Sequence, residues 1–403
     1  MVSGTSHATM TPAAELGDLL AEEVGDACRR EATTYNQATG ERADRIVLFG
    51  AGGLGRRTLA GLRAMGIEPL AFADNRAELW GKTVDGLRVM SPGDASEEHG
   101  TTTAFVVTIW GANQPHRLEH TVAQLDELGC DVVVPVSWLQ WRHADQLLPH
   151  YAQDLPSRLL TQAADVRRAF GLMADEFSRQ EFVDQVRWRL TGDPSGLRHP
   201  VAGPQYLADD VARTIPHEVI LDCGAYDGDT LASWLEHRGP TFGRYIALEP
   251  DPNSREQLEA LANGLPEEVR TRVVVLAQAA ASAPGTTTFA ATGTASSSIG
   301  EGGITVELAR IDDIVAELGG PPLTFLKMDI EGAELDALSG ATATITDNAP
   351  MLALCVYHRQ DHLWRVPLAV AAMRPDHAFF LRPHNEEGWD LVLYAVPPWR
   401  ARR

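Results

Sequence analysis

The sequence predicts an α/β protein with two Rossmann-like, doubly wound domains joined by a helical connector. Two segments support this fold class, because each has an apolar run of strand length, then a glycine-rich turn, then a helical stretch. One segment spans residues 45–65 and the other begins at Val219. Between residues 155 and 189, apolar side chains recur every three to four positions, which indicates helices. We therefore expect an N-terminal extension over 1–42, a Rossmann-like domain over 43–145, a helical connector over 146–215 and a second α/β domain over 216–403.

The composition limits the classes of function. The chain has 403 residues, with 34 Lys and Arg against 55 Asp and Glu, so its formal net charge is −21. Proteins that bind nucleic acid depend on basic clusters that displace counterions from phosphates, so the acidic excess argues against such a partner. A hydrophobic fraction of 44% and a charged fraction of 22% exclude wholesale disorder. We expect a small-molecule partner and leave a homodimer open.

The cysteines and the N-terminus bear on the cellular compartment. The four cysteines are far apart in sequence and form no CxxC pair, which excludes a zinc ribbon and a disulfide framework. The N-terminus lacks a basic start followed by an apolar run, and no stretch reaches the ~18 apolar residues of a membrane span. The sequence therefore predicts a cytoplasmic protein without a membrane partner.

In the first domain, strand-like runs alternate with helical stretches, at residues 45–50, 69–74, 103–109 and 131–135. The first turn contains Gly50, Gly52 and Gly55, and Asp74 follows about 20 residues later, the spacing of a carboxylate that binds a ribose. With the stretch Trp80–Pro92, residues 45–94 resemble the nucleotide-binding half of sugar acyltransferases. The resemblance implies a nucleotide or nucleotide-sugar site, and we predict a nucleotide or NAD-like ligand at these glycines and Asp74. A scaffold or oligomerisation domain with an empty crevice is the alternative.

The second domain contains seven apolar runs that fit one sheet, at Val219–Leu221, Arg244–Leu248, Arg272–Leu276, Thr324–Met328, Met351–Tyr357, Ala378–Leu381 and Asp390–Val396. Between the third and fourth runs, residues 286–310 interleave Gly, Thr and Ser with short alternating pieces. This pattern favours a β excursion or a flap over a helix.

The turn after the first of these seven strands is the strongest candidate site. It carries Gly224 and Gly228, which allow a sharp bend and close approach of a ligand to the backbone. It also carries Asp222, Asp227 and Asp229, and three carboxylates disfavour a diphosphate. They tolerate a cationic ligand such as S-adenosylmethionine.

The next two strands continue this pattern. Glu249 ends the second strand about 20 residues after Gly228, where a carboxylate can accept hydrogen bonds from both ribose hydroxyls. Gln278 and Ala279 end the third strand and suit the edge of an adenine. The order is that of a class I methyltransferase with a seven-stranded sheet. The predicted cofactor-binding residues are Asp222, Gly224, Ala225, Tyr226, Gly228, Asp229, Thr230, Glu249, Pro250, Gln278, Ala279 and Asp329.

The fourth and fifth strands supply the candidate catalytic residues, Asp329, Glu331 and His358. Neighbouring strand ends place Asp329 and His358 at the carboxyl edge of the sheet. His358 is the preferred general base, since a reference pKa of ~6.5 suits proton removal near neutrality. The alternative is a hydrogen-bonded wall residue, with His362 and His384 as substitute bases. Glu331 and Glu334 also suit capping of backbone N–H groups or ion pairs.

A metal at Asp329, His358 and His384 uses suitable ligand types, but no HxH, HExxH or paired-Asp spacing supports it. We therefore predict no metal site.

These residues carry a resemblance to a known family. The run Asp222–Thr230, the acid Glu249, the motif from Asp329 to Glu334 and the pair Tyr357-His358 resemble the FkbM family of methyltransferases. The resemblance covers about Val219–Pro397 and implies a Rossmann-like sheet and methyl transfer, usually to oxygen, in natural-product or glycan pathways. It does not name the acceptor.

Three functions stay open at this point. The first is S-adenosylmethionine-dependent O-methylation of a natural product or sugar, free or nucleotide-linked, by SN2 transfer with a general base. The second is an NAD(P)- or nucleotide-dependent oxidoreductase that uses the Gly50 turn. The third is a non-catalytic sensor of an adenosyl ligand.

Overall fold

The computed structural model describes residues 10–111, 116–290, 298–299 and 303–402, which form two units. The first unit contains the described residues up to Arg167, with Arg179–His199 and Asn385–Trp389. The second contains Arg168–Ser178, Pro200–His384 and the residues from Asp390 onward. Residues 168–178 and 200–215, which the sequence places in the connector, thus belong to the second unit. Each unit is built on a sheet flanked by helices, so the predicted α/β class is confirmed.

A six-stranded sheet is the centre of the first unit, in the order β3-β4-β2-β1-β5-β6. Its strands are β1 (Ile46–Phe49), β2 (Ala71–Ala73), β3 (Thr83–Val84), β4 (Leu87–Met90), β5 (Ala104–Val107) and β6 (Val133–Pro135). The central strand β1 pairs in parallel with β2 and β5. It is an uninterrupted apolar run because helices cover both faces of the sheet. Ile46 and Leu48 pack into one core cluster, and Val47 and Phe49 pack into another.

Helices account for most of the remaining first-unit residues. They are α1 (Pro12–Leu19), α2 (Val24–Thr39), α3 (Gly53–Ala64), α4 (Pro92–His99), α5 (Leu118–Glu127), α6 (Val136–Arg142), α7 (Ala144–Leu147), α8 (Pro156–Leu160), α9 (Ala163–Phe170) and α10 (Glu176–Thr191), of which α9 and α10 extend across unit boundaries. The glycine turn predicted at Gly50 lies between β1 and α3, as expected.

The second unit contains a seven-stranded sheet in the order β16-β17-β15-β14-β7-β8-β9. Its strands are β7 (Val219–Cys223), β8 (Arg244–Leu248), β9 (Val273–Leu276), β14 (Phe325–Met328), β15 (Met351–Cys355), β16 (Ala378–Pro383) and β17 (Leu391–Val396). The predicted seven-stranded sheet is therefore confirmed. β17 runs antiparallel to β15 and β16, and the other neighbours are parallel. The carboxyl ends of β7, β8, β14 and β15 consequently meet at one edge, where the candidate residues lie.

A four-stranded sheet follows β9, in the order β10-β13-β11-β12. Its strands are β10 (Gln278–Ala280), β11 (Gly285–Ala290), β12 (Ser298–Ile299) and β13 (Ile304–Ala309). The predicted β excursion over 286–310 falls partly on residues 291–297 and 300–302, which lie outside the described residues. The helices of the second unit are α11 (Asp229–Arg238), α12 (Pro252–Asn263), α13 (Glu267–Arg270), α14 (Ile311–Leu318), α15 (Glu334–Ser339), α16 (Thr342–Asn348) and α17 (His362–Met373).

Two further features concern the whole chain. All four cysteines are free thiols, and Cys28 alone among them is exposed. Within the described ranges, each helix is too short or too polar to cross a lipid bilayer.

Candidate active site

The glycine turn between β7 and α11 is shaped by close packing against the end of β14. Gly224 has a φ of 78°, and a Cβ added there would lie 1.9 Å from the carbonyl oxygen of Asp329. A side chain at this position therefore clashes with the backbone that leads into the candidate catalytic residues. Gly228 has a φ of 93° and immediately precedes α11. The turn thus presents the backbone of residues 224–230 at the carboxyl edge of the sheet.

A buried ion pair supports this turn. Lys327 in β14 lies beside Asp222 in β7, and its Nζ atom is 2.9 Å from Asp222 Oδ1. The same ammonium donates a hydrogen bond to the carbonyl oxygen of Gly224 at 2.6 Å. The Tyr245 hydroxyl donates to Asp222 Oδ2 at 2.6 Å. Asp222 is fully buried and charge-balanced, so it adds no net negative charge at the turn, contrary to the electrostatic argument from sequence.

Glu249 connects the second strand to the glycine turn. Its Oε2 atom accepts the N–H of Tyr226 at 2.8 Å, and its Oε1 atom accepts the N–H of Asp251 at 2.7 Å. Only 6% of Glu249 is exposed, and this burial raises the pKa of its carboxyl to about 7. The predicted spacing between acid and turn thus corresponds to direct contact.

The other predicted cofactor residues occupy different positions. Ala225 and Thr230 are buried, and the N–H of Ala225 donates to Leu248. Asp229 opens α11 and is exposed, and Pro250 is half-buried. Gln278 and Ala279 are half-buried in β10, where they pair with Glu307 and Leu308. They thus belong to the four-stranded sheet and do not extend β9.

Asp329 directly follows β14 and is held by three donors. The Tyr206 hydroxyl donates to Asp329 Oδ2 at 2.6 Å, and His358 Nε2 lies 3.1 Å from Oδ1. The Tyr357 hydroxyl is a longer donor to Oδ1, at 3.4 Å. Burial alone raises the pKa of Asp329, but the interactions with His358 and Tyr206 and the positive charges of His358 and Lys327 lower it to about 2. The side chain is 24% exposed, so part of this carboxylate is accessible.

His358 lies behind Asp329 and bridges two carboxylates. Its Nδ1 atom is 2.7 Å from Glu334 Oε1, and Glu334 Oε2 lies 3.2 Å from His362 Nδ1. Burial alone lowers the pKa of His358, but the charges and hydrogen bonds of Glu334 and Asp329 outweigh burial and raise it well above its usual value. Both ring nitrogens face carboxylate oxygens, and together with the raised pKa this arrangement favours the imidazolium form. A general base needs a neutral ring nitrogen, so this geometry disfavours the base role and favours the wall-residue alternative.

Comparison with known proteins identifies the domain that carries this cluster. The family model described as the methyltransferase FkbM domain matches residues 222–381. The region that carries the candidate site is thus similar to FkbM methyltransferase domains. The crystal structure of methyltransferase FkbM from Methylobacillus flagellatus KT matches with a TM-score of 0.76 and 22% identity, and the match covers 96% of this chain and 100% of that one. At this identity the match shows a shared fold.

Two other solved structures match less well. Fibrillarin from Aeropyrum pernix, solved with natively bound S-adenosyl-L-methionine, has a TM-score of 0.29 and 13% identity over 45% of this chain and 67% of its own. The SAH-bound methyltransferase PaMTH1 from Podospora anserina has a TM-score of 0.25 and 15% identity over 44% of this chain and 70% of its own. These scores are too low to indicate a common fold. No curated protein matches the chain.

The remaining candidates lie beside the cluster or away from it. Glu331 has a φ of 53°, and its Oε2 atom is 4.0 Å from His358 Nε2. His384 instead pairs with the Tyr394 hydroxyl at 2.8 Å, and burial lowers the pKa of His384 to about 4. The described residues contain no group of three or more His, Cys, Asp or Glu side chains arranged to hold a metal ion.

Lys327 and Tyr206 contact the predicted site residues but were not themselves predicted from the sequence. Lys327 has a signal in the sequence, because it is the lone charge inside the apolar run that forms β14. In the sheet it lies in register with Asp222. Tyr206 has no such signal, since it lies in an irregular segment 123 residues before Asp329 and outside the FkbM match.

The Gly50 turn of the first unit has internal partners for its predicted ligand groups. Asp74 Oδ2 accepts the N–H of Ala51 at 2.8 Å, and the Arg76 guanidinium contacts both carboxylate oxygens at 3.0 Å. Arg56 and Arg57 directly follow Gly55 and are of a type that suits a phosphate, but they contact Asp85 and the carbonyl of Leu147, respectively. A nucleotide or NAD-like ligand here stays a prediction without support from the comparisons.

Proposed function

We propose that the chain is an S-adenosylmethionine-dependent methyltransferase that transfers a methyl group to a hydroxyl of a natural-product or sugar-type small molecule. The observation that carries this proposal is the contact of Glu249 with the Tyr226 N–H of the glycine turn, inside an FkbM methyltransferase domain. The same edge of the sheet holds an accessible carboxylate, Asp329.

The residues at this edge fit the cofactor chemically. Each oxygen of Glu249 accepts one backbone N–H, which leaves each oxygen a lone pair for a ribose hydroxyl. The backbone of 224–230 allows close approach, and Asp227 and Asp229 suit the cationic amino-acid end. Gln278 and Ala279 are proposed for the adenine. When bound, the cofactor supplies an electrophilic methyl group.

Asp329 is proposed to hold the acceptor hydroxyl and to receive its proton. If a C–O bond formed while the methyl–sulfur bond of the sulfonium broke, the oxygen would become positively charged and its proton strongly acidic, so a carboxylate of low pKa would be a sufficient acceptor. His358 keeps Asp329 ionised and oriented, and does not itself take the proton. Much of the rate enhancement then comes from positioning of the acceptor oxygen in line with the methyl carbon.

Calorimetry with S-adenosylmethionine and S-adenosylhomocysteine tests the cofactor site, and NAD(P) in the same assay tests the oxidoreductase alternative. Transfer of a radiolabelled methyl group to a panel from glycerol and methyl glucoside to macrolactone alcohols tests the reaction. We expect adenosyl-ligand binding and transfer to at least one hydroxyl. Binding of NAD(P) alone contradicts the proposal, and adenosyl-ligand binding without transfer favours the sensor alternative.

A further inference from the structure

Tyr206 lies in the irregular segment that precedes β7, outside the residues matched by the FkbM domain model. Its ring is 5% exposed and its φ is 68°. A non-glycine residue in this backbone region costs of order 1–3 kcal/mol and persists only where its surroundings fix it. The Tyr206 N–H donates to the Tyr394 hydroxyl at 3.0 Å, which anchors the segment to β17.

The hydroxyl of Tyr206 makes its hydrogen bonds at the carboxyl edge of the sheet, beside the candidate site. It donates to Asp329 Oδ2 at 2.6 Å and accepts a hydrogen bond from Gln205 Nε2 at 2.9 Å. The Tyr206 ring lies 5.2 Å from Lys327 Nζ, the ammonium that supports the glycine turn. Burial and the negative charge of Asp329 raise the pKa of Tyr206 well above its usual value, so the phenol keeps its proton as a donor.

The two shortest polar contacts of the Asp329 carboxylate are on different oxygens. His358 lies at Oδ1 and Tyr206 at Oδ2, so together they fix the plane of the carboxylate. A carboxylate offers about four lone-pair directions. Tyr206 takes one of the two on Oδ2, and no second hydrogen bond reaches this oxygen from the part of the chain that the structure describes.

We infer that Tyr206 is a positioning residue for methyl transfer, which orients Asp329 so that the second lone pair of Oδ2 faces the acceptor hydroxyl. This inference rests on the proposed function. It adds to the FkbM domain a group from the preceding segment, without which the carboxylate is held at one oxygen only.

A double-mutant cycle in the full-length protein tests this role. Tyr206→Phe removes the donor and keeps the ring, and we expect kcat to fall about 10- to 100-fold on the most active panel acceptor. The KM for S-adenosylmethionine should change less than about twofold. In an Asp329→Asn background, Tyr206→Phe should have little further effect on kcat, because the group through which Tyr206 acts is already lost.

Tyr35→Phe is the matched control, because Tyr35 is also buried and its hydroxyl donates to the backbone carbonyl of Ala43, in the first unit. If Tyr206→Phe lowers kcat equally in the wild type and in the Asp329→Asn variant, the inference is overturned and the proposed function stays intact. Absence of transfer by the wild type to any acceptor overturns the proposed function and this role together. A loss of kcat that parallels a lower urea midpoint identifies a structural effect and also overturns the inference.

Discussion

At the scale of single residues, two carboxyl groups with opposite pKa shifts mark the two sides of the candidate site. Burial raises the pKa of Glu249 to about 7, whereas the partners of Asp329 lower its pKa to about 2. Groups displaced in opposite directions within one site are typical of sites with divided roles. We assign Glu249 to cofactor binding and Asp329 to the acceptor for this reason.

Glu249→Ala tests the cofactor assignment. Hydrogen bonds to a charged group contribute about 1.5–3 kcal/mol, so at pH 8, where a carboxyl with a pKa of about 7 is mostly ionised, the affinity for S-adenosylhomocysteine should fall about 10- to 150-fold by calorimetry. Asp74→Ala is the matched control, since Asp74 follows β2 of the first unit and accepts the N–H of Ala51 in the same way. This variant should bind the ligand like the wild type. An unchanged affinity in Glu249→Ala removes Glu249 from the site.

His358→Ala tests whether His358 is a charged imidazolium in an ion pair or a neutral ring that can act as a base. Loss of one partner of a buried ion pair costs about 3–5 kcal/mol, so the free energy of unfolding at pH 7 should fall by that amount. The folded-state pKa of His358 is raised, so its contribution is complete below the unfolded pKa of ~6.5 and is lost only as the pH rises through the higher folded value.

Urea unfolding of wild type and His358→Ala at pH 6, 7 and 9 measures this effect. His384→Ala is the control, because burial lowers the pKa of His384 to about 4 and the ring is neutral at pH 7. A similar small loss of stability in both variants would contradict the ion-pair assignment. It would also restore His358 as a candidate base.

At the scale of elements, the glycine turn after β7 packs directly against the end of β14. The carbonyl of Asp329 occupies the place of a Gly224 side chain, so a change in the turn also displaces the candidate acceptor carboxylate. Cofactor and acceptor positions are therefore linked through backbone packing between β7 and β14.

Gly224→Ala should abolish detectable S-adenosylhomocysteine binding, because its Cβ would lie 1.9 Å from the Asp329 carbonyl oxygen. Gly239→Ala is the control, because it introduces backbone strain without this clash. Gly239 has a φ of 65°, and a Cβ there meets no atom within 4 Å. We expect Gly239→Ala to lower stability by about 1 kcal/mol and to leave binding intact. Equal behaviour of the two variants in calorimetry contradicts the packing argument.

The elements also show what sequence patterns can predict. All seven strands of the second sheet were predictable, because each contains a largely apolar run of strand length between turns, as strands covered on both faces do. The placement of Gln278 was not, since its strand pairs with β13, which lies beyond a long excursion of the chain. The charge of His358 could not be predicted either, because it depends on Glu334. The two residues are close because of the fold and not because of their separation in the sequence.

At the scale of the whole molecule, the second unit is discontinuous in sequence. Arg382 in β16 pairs with Asp175 and Asp210, each at 2.7 Å, and donates to the Ser178 hydroxyl at 2.9 Å. These partners precede residue 216, where the sequence places the start of the second domain. Burial alone lowers the pKa of Arg382, and the two carboxylates raise it above its usual value. The division into four segments stays a prediction, and these contacts provide its test.

A fragment of residues 216–403 should fail to fold stably or to bind S-adenosylhomocysteine. It contains the whole FkbM match but leaves the buried Arg382 without its carboxylates and Asp329 without Tyr206. An unpaired buried charge alone costs about 3–5 kcal/mol, a large part of the stability of a domain.

Circular dichroism, urea unfolding and calorimetry on a fragment of residues 168–403 provide the comparison, because this fragment retains every partner named here. In the full chain, Asp175→Ala with Asp210→Ala should reproduce the loss of stability while Tyr206 still contacts Asp329. If the shorter fragment unfolds cooperatively and binds the ligand like the longer one, the segments before residue 216 are dispensable and the predicted boundary is correct.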